Sequence, residues 1–114
     1  MDEGRVEIPE WTPDELRRAL DAPGRRIVLL DVRTAAEFAH GSLPGALSMP
    51  LDEIDERHGE IPPDADVVCL CPDGERAAVA VVLLRSLGVP RAALLAGGLR
   101  ALGVAGEEDE GEAP

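Results

Sequence analysis

Two stretches of consecutive apolar residues, within 27–32 and 66–71, constrain this chain more than any other feature of it. Neither alternates apolar with polar positions, so each reads as a strand covered on both faces. That pattern belongs to parallel sheets with helices packed above and below. Helix signals lie around them. Thr12-Pro13-Asp14-Glu15 is a capping box with proline at the first helical position and predicts a helix through about Ala22. Thr34 to Glu37 repeats the spacing and opens a short helix that Gly41 can end. Leu43-Pro44-Gly45 reads as a turn, 46–49 as a short strand, 51–58 as a helix and Ile61-Pro62-Pro63-Asp64 as a loop. After the second apolar strand a long apolar helix is expected over 77–87, closed by Gly88. A last strand follows over Ala92–Leu95, with a turn at Gly97-Gly98 into a final short helix. Strand and helix alternate throughout, which predicts an α/β architecture: a three-layer domain around a central parallel sheet of about five strands with right-handed crossovers.

With 114 residues there is room for one core, and the expected domain runs over residues 1–105. Residues 106–114 hold Glu107, Glu108, Asp109, Glu110 and Glu112 without periodicity and are expected to form a disordered acidic tail. With one Trp, one Phe and no Tyr, the core must come from Val, Leu, Ile and Ala. The formal charge is −12, and all 11 basic side chains are Arg. Such a surface opposes nucleic acid and anionic membranes, whose binding depends on neutralising phosphates, so neither is expected as a partner. No apolar run reaches the ~18 residues of a membrane span, and the acidic first residues carry no apolar signal region. A cytoplasmic location is the expectation.

Reactivity centres on two cysteines. Cys69 lies inside the second apolar strand among Val67, Val68 and Leu70, where a cysteine behaves as a small buried hydrophobe. Cys71 ends that strand, and ligands of open parallel sheets bind at the carboxyl ends of strands. It also precedes a tight turn, Pro72-Asp73-Gly74-Glu75, which leads into a helix through Arg76. A turn of this kind aims backbone N–H groups inward, and a helix start adds its own unsatisfied donors. Both favour thiolate over thiol, and Arg76 can add positive charge or lock the loop by donating to its carbonyls. The expected product is a nucleophile that needs no general base. His40 and His58 each precede glycine at an expected helix end and read as C-terminal helix residues rather than bases. Two cysteines and two distant histidines do not make a metal site, so no metal is expected.

At this point the sequence resembles the rhodanese family. Asp31-Val32-Arg33-Thr34-Ala35-Ala36-Glu37-Phe38, Gly41-Ser42-Leu43-Pro44-Gly45-Ala46 and Pro50 follow its signature in order. Cys71-Pro72-Asp73-Gly74-Glu75-Arg76 is similar to its C-x-x-G-x-R active-site loop, and Gly97-Gly98 to the pair after its last strand. The resemblance implies sulfurtransferase chemistry without metal or organic cofactor. In it, Cys71 takes a sulfane sulfur from a small donor or a persulfidated protein, holds it as a persulfide and passes it to a thiol, cyanide or protein acceptor. Pro72, Asp73, Gly74, Glu75 and Arg76 would form the cup around the persulfide. Related phosphatases and arsenate reductases carry a loop longer by one residue. Asp31 and Arg33 are expected to orient the loop that follows them through hydrogen bonds, and Glu37 to complete a helix cap.

Several positions depart from the family pattern. Asp73 and Glu75 bring carboxylates to the loop; at about 6 Å and an effective dielectric near 20, each would oppose an anion by roughly 2–3 kcal/mol before screening. Ala77 stands where Ser or Thr is usual. Ser42 and Leu43 replace His and Ile, and Leu102 replaces an aromatic residue, which reads as packing variation. Two other readings remain at this stage. One is a catalytically weak rhodanese-like module that binds or regulates a partner. The other is a redox pair of Cys69 and Cys71, although residues two apart on a strand are too far separated for a relaxed disulfide.

Overall fold

The computed structural model describes residues 7–104; the expected acidic tail at 106–114 lies outside the described residues. Among the described residues, five parallel strands form one sheet in the order β1-β5-β4-β2-β3. They are β1 (Glu10–Trp11), β2 (Ile27–Asp31), β3 (Leu47–Ser48), β4 (Asp66–Leu70) and β5 (Ala92–Leu95). Five α-helices accompany them: α1 (Pro13–Asp21), α2 (Ala35–Ala39), α3 (Ile54–Arg57), α4 (Glu75–Ser86) and α5 (Gly98–Ala101). The two apolar runs are neighbours at the sheet centre, paired from Ile27 opposite Asp66 to Asp31 opposite Leu70.

Side-chain alternation along these strands creates two cores, one on each face. Val67 and Cys69 of β4, Leu30 of β2 and Ala92 of β5 face the same side as Ala77, Ala80, Val81 and Leu84 of α4 and Ile54 of α3. Val68 and Leu70, with Leu29 and Leu95, meet Leu16 of α1 and Leu99 of α5. Each strand residue of β4 is therefore covered, which explains a run with no polar alternation. At the opposite edge from the cysteine loop, Asp66 joins β4 to Arg91 (3.0 Å) and Arg25 (3.2 Å). Arg25 in turn lies 5.3 Å from the centre of the Trp11 ring.

Both capping boxes form as read, with Thr12 and Glu15 at α1 and Thr34 and Glu37 at α2 exchanging reciprocal bonds. Differences from the sequence reading have local causes. The strand over 66–71 stops at Leu70, because the Cys71 carbonyl turns to accept from the N–H of Leu99 rather than from a neighbouring strand (2.8 Å). The helix expected from Ala77 begins at Glu75, because Gly74, at φ 102°, turns the chain directly into it. The segment over 51–58 is not one helix. It is a 3-10 turn at Leu51–Glu53, the single turn α3, and a second 3-10 turn at His58–Glu60. His40 is the C-cap of α2, and His58 places Nδ1 3.3 Å and 3.2 Å from the carbonyls of Ile54 and Asp55, as helix-end residues do. β1 is two residues long, too short to leave a periodic signal.

Packing of α4 predicts a sharp contrast between its two sides. Leu84 has no exposed surface, whereas Val79 is 56% exposed. Leu84→Ala is expected to lower unfolding free energy by about 2–5 kcal/mol, and Val79→Ala to change it by less than about 1 kcal/mol, measured by urea denaturation.

Candidate active site

The sulfur of Cys71 sits where β4 hands over to α4. Its Sγ accepts the N–H of Gly74 at 3.0 Å and of Ala77 at 3.2 Å. Ala77 is the third residue of α4, and no side chain of the capping residue Gly74 is available to satisfy its N–H. Cys71 Sγ thus does for α4 what a Ser or Thr oxygen does at an ordinary N-cap. Two backbone dipoles aimed at one atom stabilise negative charge there. Cys71 itself is fully buried, while Asp73 and Glu75 lie exposed on the outside of the loop. Asp73 Oδ1 also accepts the N–H of Glu75 (3.1 Å), which helps start the helix.

Arg76 finds a partner that sequence reasoning did not identify. Its two terminal nitrogens grip Glu37, at 2.8 Å on Oε1 and 2.9 Å on Oε2. Glu37 therefore has two tasks at once, since Oε1 also accepts the N–H of Thr34 to complete the α2 cap (2.9 Å). The Arg76 guanidinium bonded to Glu37 holds the carboxyl at about 2, against an ordinary 4.5. The fork ties the start of α4 to α2, elements that flank the loop from different strands. The signal that could have revealed it is weak: Glu37 and Arg76 are 39 positions apart, and Glu37 already had a complete explanation as a cap.

A second, fully buried pair supports the segment after β2. Arg33 Nε and Nη2 donate to the two oxygens of Asp31 at 2.9 and 2.7 Å, and Nη2 also reaches the carbonyl of Gly41 at 2.6 Å. Ser42 completes the group by donating its hydroxyl to Asp31 Oδ2. Ser42 is thus more than the packing variation read from sequence; it satisfies a buried carboxylate. Breaking such a pair by removing one partner costs about 3–5 kcal/mol.

Cys69 has the contrary environment. It is fully buried against α4, and burial, with a smaller contribution from Cys71, pushes its thiol up to about 12. Both cysteines are free. Ala77 packs its methyl into the same core, so only its backbone reaches the sulfur. Beside the loop a cleft of about 270 Å³ is lined by Val32, Thr34, Pro50, Leu51, Asp52 and Arg76. A larger groove of about 430 Å³, between Trp11, Arg18 and Arg25, includes no residue of the cysteine loop. Among the described residues, no group of three potential ligands could hold a metal ion, and no helix is long and apolar enough to cross a membrane.

The sequence model for the Rhodanese-like domain matches residues 12–103, spanning every element that builds this site. The chain belongs to the rhodanese-like domain family. Its α/β fold is that of solved members. A rhodanese-like domain protein from Staphylococcus aureus superposes with a TM-score of 0.75 at 30% identity, over 82% of this chain and 90% of that one. A human single-domain sulfurtransferase superposes at 0.72 with 31% identity, over 84% and 96%. Among curated relatives, a sulfurtransferase of Allochromatium vinosum is 43% identical over 64% of this chain and 68% of its own. A tRNA uridine(34) hydroxylase of Xanthomonas euvesicatoria is 38% identical over 81% of this chain. This rhodanese-like chain spans only 38% of that hydroxylase.

The Glu37–Arg76 pair makes stability depend on acid in a defined window. Glu37 has its carboxyl lowered in the folded state, so its contribution is complete above about pH 4.5 and is lost as pH falls toward 2. The stability difference between the protein and its Glu37→Gln variant should therefore shrink steadily from pH 5 to pH 2.5. Urea titrations at several pH values measure it, and a constant difference would refute the assignment.

Proposed function

We propose that this rhodanese-like domain is a sulfurtransferase or sulfur carrier whose nucleophile is Cys71. The observation that carries the reading is the pair of backbone N–H groups directed at Cys71 Sγ from Gly74 and Ala77. A thiolate there attacks the sulfane sulfur of a donor. The new S–S bond forms as the bond from that sulfur to the rest of the donor breaks, and the leaving group departs with the bonding electrons. The product is a persulfide on Cys71 with its negative charge on the outer sulfur. A thiolate, cyanide or a protein thiolate then attacks that outer sulfur, and Cys71 leaves as thiolate again. No external oxidant or reductant is needed, because sulfane sulfur keeps its oxidation level through both steps. A reduced nucleophilic thiol suits the cytoplasmic setting expected from sequence.

Asp73 and Glu75 refine the choice of donor. Both are exposed on the loop, and the positive charge of Arg76 is already engaged by Glu37. An approaching dianion such as thiosulfate meets uncompensated negative charge, so a polysulfide or a protein-borne persulfide is the better donor. The hydroxylase activity of the longer relatives is not part of this reading. A charge of −12 opposes RNA phosphates.

Burial of Cys71 favours a second reading, a rhodanese-like module that binds a partner and does not turn over. Donor assays separate the two. Cyanide-dependent thiocyanate formation is expected from polysulfide and much less from thiosulfate, and Cys71→Ser should abolish both. No product from any donor would leave the binding module. Asp73→Ser combined with Glu75→Lys should raise kcat/KM for thiosulfate at least tenfold at low salt, with the gain shrinking as salt rises. An unchanged value would refute the charge effect.

A further inference from the structure

The last helix of the domain hydrogen-bonds to the cysteine loop from behind, backbone to backbone. The Leu99 N–H donates to the Cys71 carbonyl at 2.8 Å, and the Arg100 N–H donates to the Pro72 carbonyl at 3.1 Å. These are first-turn donors of α5, which no intrahelical carbonyl can satisfy. Gly98 makes the approach possible. It has φ +67°, and a Cβ built on it would lie closer than 3.0 Å to both of those carbonyl oxygens, a separation real Cβ atoms essentially never show. Since the obstacles are backbone atoms, no side-chain rotation can relieve the clash.

We propose that Gly98 is a positioning residue for the reaction at Cys71: its missing side chain lets α5 grip two loop carbonyls and so set the directions of the loop N–H groups. The proposal rests on the reading of Cys71 as the reacting group. A trans peptide is planar, with its C=O and N–H pointing opposite ways. Holding the Pro72 carbonyl toward α5 turns the Asp73 N–H away from α5. Holding the Cys71 carbonyl in the same manner takes it out of the sheet ladder and lets the chain bend toward Gly74, whose N–H reaches Sγ. Gly97 precedes it at φ +77° with its own tight approach to Ala101, so the pair of glycines builds the turn while Gly98 alone makes the loop contact.

The test compares Gly98→Ala with Gly24→Ala. Gly24 also has a left-handed φ, +77°, but nothing lies within 4 Å of an added Cβ. Both variants carry the left-handed backbone strain of a non-glycine residue, and only Gly98→Ala also displaces the loop. At temperatures where both are fully folded, the amide proton resonances of Gly74 and Ala77 should move upfield in Gly98→Ala and stay in place in Gly24→Ala. Polysulfide loading of Cys71 should slow at least tenfold in the first and less than twofold in the second. Unmoved Gly74 and Ala77 resonances in folded Gly98→Ala would overturn the proposal. If Gly98→Ala does not fold, native-state hydrogen exchange of the unmodified protein decides. The amides of Leu99, Arg100, Gly74 and Ala77 should open together with one free energy. Earlier opening of Leu99 and Arg100, without the other two, would overturn it. The resonance and exchange readouts do not depend on sulfur transfer. Their failure is thus distinct from a failure of unmodified protein to accept sulfur, which would instead contradict the proposed function.

Discussion

Complete burial of β4 on both faces is the constraint from which the site follows. A strand covered by α4 on one side and by α1 and α5 on the other cannot slide or twist without opening both cores. Its end is therefore a fixed point. Cys71, one residue beyond it, inherits that position at the carboxyl edge of the sheet, where the loop into α4 must begin. Alternation along the strand also assigns the sulfur its side. Cys71 continues the face of Val67 and Cys69, beneath the start of α4, and this is why the N–H of Ala77 can reach it.

Around that point the loop is held from three directions by different chemistry. The helix start supplies N–H groups to the sulfur, the Glu37–Arg76 fork ties the same helix to α2, and α5 grips the carbonyls behind. The Asp31–Arg33–Ser42 group keeps the neighbouring segment in place through a buried carboxylate with all its partners satisfied. The contacts come from α4, α2 and α5, which follow three different strands, β4, β2 and β5, so the local shape of six residues depends on most of the fold. This explains how an anion-stabilising site can form in a domain whose formal charge is strongly negative. The stabilising groups are backbone dipoles within 3.2 Å of the sulfur, whereas Asp73 and Glu75 are exposed on the loop, where they meet an incoming donor.

Much of this was legible in the chain. Uninterrupted apolar runs at β2 and β4 revealed a parallel sheet, because only burial on both faces tolerates such runs. The capping boxes at Thr12 and Thr34 were readable because the interaction spans three residues. The cysteine loop stood out through Pro72 and Gly74, residues with strong local meaning. The missing parts are long-range. The fork from Glu37 to Arg76 joins positions far apart, and the hydroxyl of Ser42 matters only because folding brings Asp31 beside it. Similarly, the Gly97-Gly98 turn was visible, but its contact with Cys71 and Pro72 depends on β5 lying next to β4. The break-up of the segment over 51–58 into three short turns also left no mark in its apolar pattern.

The proposed function requires that Cys71 accept and hold a sulfane sulfur. Intact-mass spectrometry of the purified protein, after incubation with polysulfide and separately with thiosulfate, tests it most directly beside the Cys71→Ser variant. A gain of one sulfur atom from polysulfide is expected, removable by a reductant and absent from the variant. No added sulfur from either donor, or an equal gain in Cys71→Ser, would contradict it.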